Sequence, residues 1–101
     1  MITKYELTVK YISSLKAEIY AKNVKIQLCK AKIEYIDTHP EEFYTGHAMI
    51  RGLIFNINSL QFNITELQSE LFSAQKKLDE LLSQRGVVIN ELEDHKTVYE
   101  E

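Results

Sequence analysis

The side chains best suited to bind a metal ion lie close together in the middle of the chain: His39, Glu41, Glu42 and His47. Imidazole nitrogens and carboxylate oxygens are common zinc ligands, but a zinc site needs side chains that converge at a motif spacing. This spacing matches no tetrahedral motif, so we interpret the cluster as a polar loop with capping carboxylates. We therefore expect no metal site and no bound cofactor.

Nucleophilic catalysis would depend on Cys29, the single cysteine of the chain. A catalytic thiol needs a neighbouring base and an oxyanion site, and no glycine-rich turn accompanies this residue. The three glycines form no phosphate-binding loop, dinucleotide fingerprint or nucleophile elbow. We interpret Cys29 as a buried core thiol and do not expect the chain to be an enzyme.

A repeat of seven residues runs along the second half of the chain, beginning at Ile50. One heptad position carries isoleucine or leucine five times before it reaches Arg85. The position three residues later carries leucine, alanine or valine before it reaches His95. Such a pattern predicts a long helix that packs along one seam against another helix. The predicted seam residues are Ile50, Leu53, Ile57, Leu60, Ile64, Leu67, Leu71, Leu78, Leu81, Val88 and Leu92.

Another long helix precedes the heptads, and Thr3 and Glu6 mark its start. These two residues have the spacing of a capping box, in which each side chain accepts a hydrogen bond from the backbone N–H of the other. Helical periodicity then continues without glycine or proline to about Asp37. The apolar residues of this helix form two stripes on nearly opposite sides. The first stripe is Tyr5, Ile12, Leu15, Ile19, Ile26, Cys29, Ile33 and Ile36, and the second stripe is Ala17, Ala21, Val24, Leu28, Ala31 and Tyr35.

The segment between the two helices contains the single proline, Pro40, which disfavours helical geometry at His39 and so predicts the end of the first helix there. Thr38 and Glu41 repeat the capping-box spacing, and Gly46 offers a left-handed stop. The segment is therefore predicted to form one helical turn or a compact loop. The aromatic residues expected to cover this end are Phe43 and Tyr44.

These patterns predict an all-α fold with a single domain over residues 1–101. The domain is an antiparallel hairpin of two long helices, at about 3–37 and 47–96, with coiled-coil-like packing. The second helix is expected to continue through Gly86, at a cost of about 1 kcal/mol relative to alanine. It would then outrun the first helix by about ten residues.

Two features of this hairpin need a partner: the overhang of the second helix and the second stripe on the first helix. We therefore expect self-association, with a dimer favoured because isoleucine and leucine alternate at the seam positions. The spacing leaves open whether residues 50–92 pair within the chain or between subunits.

Four further residues are candidates for partner binding: Phe55, Phe62, Arg85 and His95. Phe55 and Phe62 are one heptad apart and would pack on an alanine-lined helix or form an exposed patch that docks a target protein. Arg85 and His95 interrupt the seam near its C-terminal end. Polar residues at such positions fix the register or oligomeric state, or mark where a seam opens to solvent.

Charge is unevenly distributed along the chain, whose net charge is −3. Residues 1–36 carry a net charge of +4 and residues 66–101 carry −5, so the two ends can attract each other side by side. Lysines interleaved with tyrosines on the first helix suggest nucleic-acid binding, but they are spread around the helix. These lysines are Lys4, Lys10, Lys16, Lys22, Lys25, Lys30 and Lys32.

The leading functional hypothesis is a non-enzymatic adaptor or inhibitor that binds another protein and self-associates through its coiled-coil surfaces. One alternative is nucleic-acid binding by the first helix, and another is an oligomeric bundle that holds a small ligand at a helix interface. The N-terminal residues lack the apolar core of a signal peptide, and no run of about 18 apolar residues is present. We therefore expect a cytoplasmic protein with no membrane partner.

Overall fold

The computed structural model describes residues 3–93, and the side chains of residues 3–84 among them. Within that range α1 spans Lys4–Thr38, a 3-10 turn spans Pro40–Glu42, and α2 spans Gly46–Glu93. The helices run antiparallel, because the C-terminal part of α1 lies beside the start of α2, whereas its N-terminal part packs near Ala74. The predicted all-α hairpin of two long helices joined by a short helical turn is confirmed.

The start of α1 is held by the predicted capping box. The Thr3 hydroxyl accepts a hydrogen bond from the Glu6 N–H at 3.1 Å, and the Glu6 carboxylate accepts one from the Thr3 N–H at 3.1 Å. Two backbone donors that a helix start leaves unpaired are thereby satisfied.

The end of α1 agrees with the effect expected of Pro40, but the predicted second capping box is wrong. The helix ends at Thr38, and His39 leaves helical geometry with φ −132° and ψ 57°. The Thr38 hydroxyl donates backwards to the carbonyl oxygens of Glu34 at 2.9 Å and Tyr35 at 3.2 Å. It therefore belongs to the last turn of α1 and caps no following helix.

The glycine after the turn has a different role from the predicted left-handed stop. Gly46 is the first residue of α2, and a Cβ added there would lie 3.3 Å from Ile36 Cγ2. The missing side chain therefore lets the two helices approach closely at the bend. Phe43 is half-buried here, but Tyr44 is fully exposed and does not cover the end of the hairpin.

The length of α2 determines the shape of the molecule. It has 48 residues and α1 has 35, so α2 is 13 residues longer. Its backbone stays helical through Gly86 to Glu93, and at 1.5 Å per residue it accounts for the 72 Å long axis. The predicted continuation to residue 96 lies outside the described residues.

The core is a narrow strip between the two helices, and even its best buried described side chain, Ile36, keeps 2% of its surface exposed. Two helices can bury a side chain from only two sides, which explains why burial is incomplete. The strip contains two apolar clusters. Ile12, Leu15 and Ala74 form one with Leu67, Leu71 and Leu78 around them, and Ile26, Ile57 and Ile64 form the other with Ile19, Cys29, Ile33 and Leu60.

Candidate interaction surface

The described seam residues of α2 lie on its inner face, where the chain's own first helix covers them. The sequence left the partner of this seam open, and the structure places α1 against it. The side chains of Val88 and Leu92 lie outside the described residues. Ile57 and Ile64 are buried, and Ile50, Leu53, Leu60, Leu67, Leu71, Leu78 and Leu81 are half-buried.

The first stripe of α1 provides the opposite wall of the same core. Its members are buried or half-buried along the whole helix. Lys22 interrupts the stripe, and its side chain stays 23% exposed with Nζ 4.0 Å from the Glu18 carboxylate. The long alkyl stem of a lysine can cover apolar surface while its ammonium group reaches solvent. Lys22 is therefore compatible with the seam without a buried charge.

The second stripe of α1 faces away from α2 and is not covered by it. Leu28 is 65% exposed, Tyr35 is 48% exposed and Val24 is 39% exposed. The three alanines of the stripe are exposed as well. This helix therefore presents an apolar heptad pattern on each of two opposite sides, and the hairpin uses one of them.

The outer side of α2 carries a second exposed apolar surface, which includes both phenylalanines predicted to contact a partner. Phe55 is 69% exposed and Phe62 is 64% exposed. Gly52 lies one turn before Phe55, and nothing approaches within 4 Å of the position where its Cβ would be. Phe72 is 69% exposed but is not in line with this pair. Arg85 and His95, the other two candidates, lie outside the described side chains.

Grooves along the flanks of the hairpin are open to solvent. One of about 420 Å³ is lined by Lys32, Met49, Gly52 and Phe55, among others. A groove that is open along its side leaves most of a small molecule in water, whereas ligand sites usually bury most of the ligand surface. The described grooves therefore give little support to a small-ligand site.

One polar contact between the helices, among the described side chains, is a hydrogen bond. The Tyr11 hydroxyl donates to the Glu70 carboxylate at 3.0 Å. This hydrogen bond is the largest cause of a raised pKa at Tyr11, and the negative charge of Glu70 adds to it. Among the side chains of residues 3–84, the salt bridge that forms is Lys22 to Glu18 within α1. The opposite net charges of the two ends therefore produce no direct pairing across the described core.

A cluster at the bend was not anticipated from the sequence. The Tyr35 and His39 rings stack at 4.1 Å, and the Phe43 ring meets Tyr35 edge-on at 5.9 Å. The Tyr35 hydroxyl donates to the Glu42 carboxylate at 3.1 Å, which raises the pKa of Tyr35. The spacing of four residues between Tyr35 and His39 was the available signal, because such residues are neighbours on a helix surface.

The histidine of this cluster lies beside two polar groups of α1. His39 Nδ1 is 2.9 Å from the Tyr35 carbonyl oxygen and 3.0 Å from the Thr38 hydroxyl. His47 is exposed on the first turn of α2. Throughout the described part of the chain, no three His, Cys, Asp or Glu side chains are grouped to hold a metal ion.

The chain matches no family model, no curated protein and no solved structure. None of the described helices has a stretch long and apolar enough to cross a membrane. A functional proposal for this chain therefore depends on the exposed surfaces of the hairpin.

Proposed function

We propose that this chain is a non-enzymatic protein-interaction module of the cytoplasm, a small adaptor or inhibitor that self-associates and binds another protein. The observation that supports the proposal is the exposed second stripe of α1. Burying a leucine side chain is favourable by about 1.5–3 kcal/mol. Leu28, at 65% exposure, is therefore a strong candidate for burial by a protein partner.

The Phe55 and Phe62 surface supports the adaptor aspect of the proposal. It lies on the outer side of α2, whereas the second stripe lies on the outer side of α1, so the two surfaces point in opposite directions. Aromatic side chains are enriched at the centres of protein interfaces. One surface can then serve self-association while the other contacts a different protein.

Nucleic-acid binding has less support from the placement of the lysines. Lys16 lines a groove with Gln75 on one flank of the hairpin, and Lys32 lines a groove with Asn56 on the other. A backbone-tracking surface needs cations along one face. The divided arrangement is typical of a solvated surface.

Self-association can be tested by sedimentation of the wild type and of a Leu28→Lys variant. We expect the mass of the wild type to rise above 11.8 kDa as its concentration increases. The dissociation constant of the variant dimer should be at least about tenfold higher, which corresponds to a loss of about 1.4 kcal/mol in association free energy. Asn23→Lys is the matched control, since it adds the same charge at another exposed position of α1. A wild type that stays monomeric at all concentrations, or equal effects of both variants, would contradict the proposal.

A further inference from the structure

The second stripe of α1 has the alternating spacing of three and four residues that defines a coiled-coil seam. Extended towards the N-terminus, the same spacing adds Ser14 and Lys10. We propose that this stripe pairs with the same stripe of a second copy, antiparallel, with Ala21 of one copy facing Val24 of the other. The inference rests on the proposed function and specifies the partner, direction and register of the stripe.

The sizes of the side chains favour the antiparallel arrangement. In this register Leu28 faces Ala17 of the second copy and Val24 faces Ala21, so each central layer combines a larger with a smaller side chain. In a parallel pair, Leu28 would instead face Leu28 of the second copy, and each alanine would face the same alanine of the second copy. Wide and narrow layers would then alternate along the seam. Layers of even width allow continuous close packing.

The charges beside the stripe, taken together with the side-chain sizes, favour one antiparallel register. With Ala21 facing Val24, Glu18 lies opposite Lys25 of the second copy, and the two-fold axis generates this pair twice. Both side chains are exposed in the single hairpin, and Glu18 would exchange its 4.0 Å contact with Lys22 for the contact with Lys25 of the second copy.

A shift of one heptad in one direction would bring Glu18 onto Glu18, which is repulsive. A shift in the other direction would pair Glu18 with Lys32 but would bring Lys25 onto Lys25. It would also place Val24 on Leu28 and Ala21 on Ala31, which makes the layers uneven. A parallel pair would bring Lys25 beside the neutral Tyr20 instead.

The size of the contact predicts a weak dimer. The stripe from Lys10 to Tyr35 is about 38 Å long and one helix face is about 10 Å wide, so the pair would cover on the order of 800 Å² summed over both copies. This area is smaller than the roughly 1,200–2,000 Å² of stable specific interfaces and is typical of weak, transient ones. The dimer would be a row of four helices with the two α1 helices in the middle. The Phe55 and Phe62 surfaces would remain uncovered on its two outer sides.

Disulfide trapping tests the direction and the register. In a Cys29→Ala background, one chain carries Ala17→Cys and a second chain of different mass carries Leu28→Cys. We expect mild oxidation of the mixture to give the mixed disulfide. Each chain alone should give little product, because positions 17 and 17, or 28 and 28, would be about 16 Å apart along the axis and a disulfide needs Cα atoms within about 7 Å.

A charge reversal provides a second readout without cysteines. Glu18→Lys and Lys25→Glu should each weaken dimerisation about three- to tenfold, and the double variant should return to within about twofold of the wild type. Strong 28–28 crosslinks, or a double variant no better than the singles, would overturn this pairing. If sedimentation nevertheless shows association, the proposed function stands and only this register is wrong. A wild type that stays monomeric would contradict both the proposed self-association and this pairing.

Discussion

The Tyr11 hydroxyl links the two helices on one flank of the hairpin through its hydrogen bond to Glu70. The Glu70 carboxylate accepts a hydrogen bond from the protonated phenol, and its charge repels the phenolate, so the pKa of Tyr11 lies above its ordinary value of 10.0. A raised pKa means that the folded state favours the protonated phenol. The contribution to stability is therefore complete below pH 10 and is lost as the pH rises through the pKa of the folded state.

The Glu70→Gln variant should lower the pKa of Tyr11 towards its ordinary value, because the amide carries no charge. Chemical-shift titration of ¹³C-labelled tyrosine by NMR measures this pKa directly. Glu66→Gln is the control, since it removes an exposed carboxylate from the same helix without touching the hydrogen bond. Equal pKa values of Tyr11 in both variants would argue against the contact.

Single residues at the bend show where prediction from the sequence was limited. Pro40 ended α1 as expected, since its ring restricts the preceding residue whatever the surroundings. Thr38 had two local options, to cap a following turn or to donate back to its own helix, and these options are close in energy. The stacking of Tyr35 on His39 also depends on the path of the turn. The hydrogen bond of Thr38 and the stacking of Tyr35 on His39 both depend on tertiary geometry.

The helices themselves were more predictable than the bend, because each heptad position contributes the same information several times. One misplaced residue leaves the direction of the apolar face unchanged, and Ala74 and Lys22 both occupy seam positions without disturbing the packing. The starting point of α1 was also predictable, since a capping box is a local interaction. The sequence could not predict whether the seam of α2 packs against α1 of the same chain or against a second copy, because the same heptads are compatible with both arrangements.

The cap of α1 leads to a prediction at the scale of the element. Thr3→Ala should lower the free energy of unfolding by about 1 kcal/mol, because the Glu6 N–H loses its acceptor. Urea unfolding followed by circular dichroism measures the change. Thr65→Ala is the control, since its hydroxyl donates to the Gln61 carbonyl inside α2 and its loss should be neutral or slightly stabilising. A cost at Thr65 equal to that at Thr3 would contradict the capping role.

At the scale of the whole molecule, the described part of the chain is a rod of 72 × 22 × 20 Å whose core is a single strip between two helices. Such a fold buries one face of each helix and leaves the opposite faces available. Leu15 at 3% and Leu28 at 65% exposure are members of the two stripes of the same helix, and they illustrate the division. Stability of the hairpin depends on the first stripe, and we propose that association depends on the second.

The antiparallel topology also orders the events of folding. Gly46 follows Ile36 by ten residues, whereas Ala74 follows Ile12 by 62 residues. Closing the longer loop first would cost about 1.6 kcal/mol more in chain entropy. The contacts at the bend should therefore form before the transition state. Contacts between the two helices should then form progressively from the bend towards the open end of the hairpin, where Ile12 and Ala74 pack together.

Rate measurements on two matched variants test this order. Ile36→Val and Ile12→Val should each lower the free energy of unfolding by about 1 kcal/mol. The first should mainly slow folding, with a φ-value above about 0.7, and the second should mainly speed unfolding, with a φ-value below about 0.3. Stopped-flow kinetics at low protein concentration measures the folding and unfolding rates of each variant. Equal φ-values for the two variants would refute the proposed order of folding. The open end, where the capping box sits, would then be the last part to form and the first to separate.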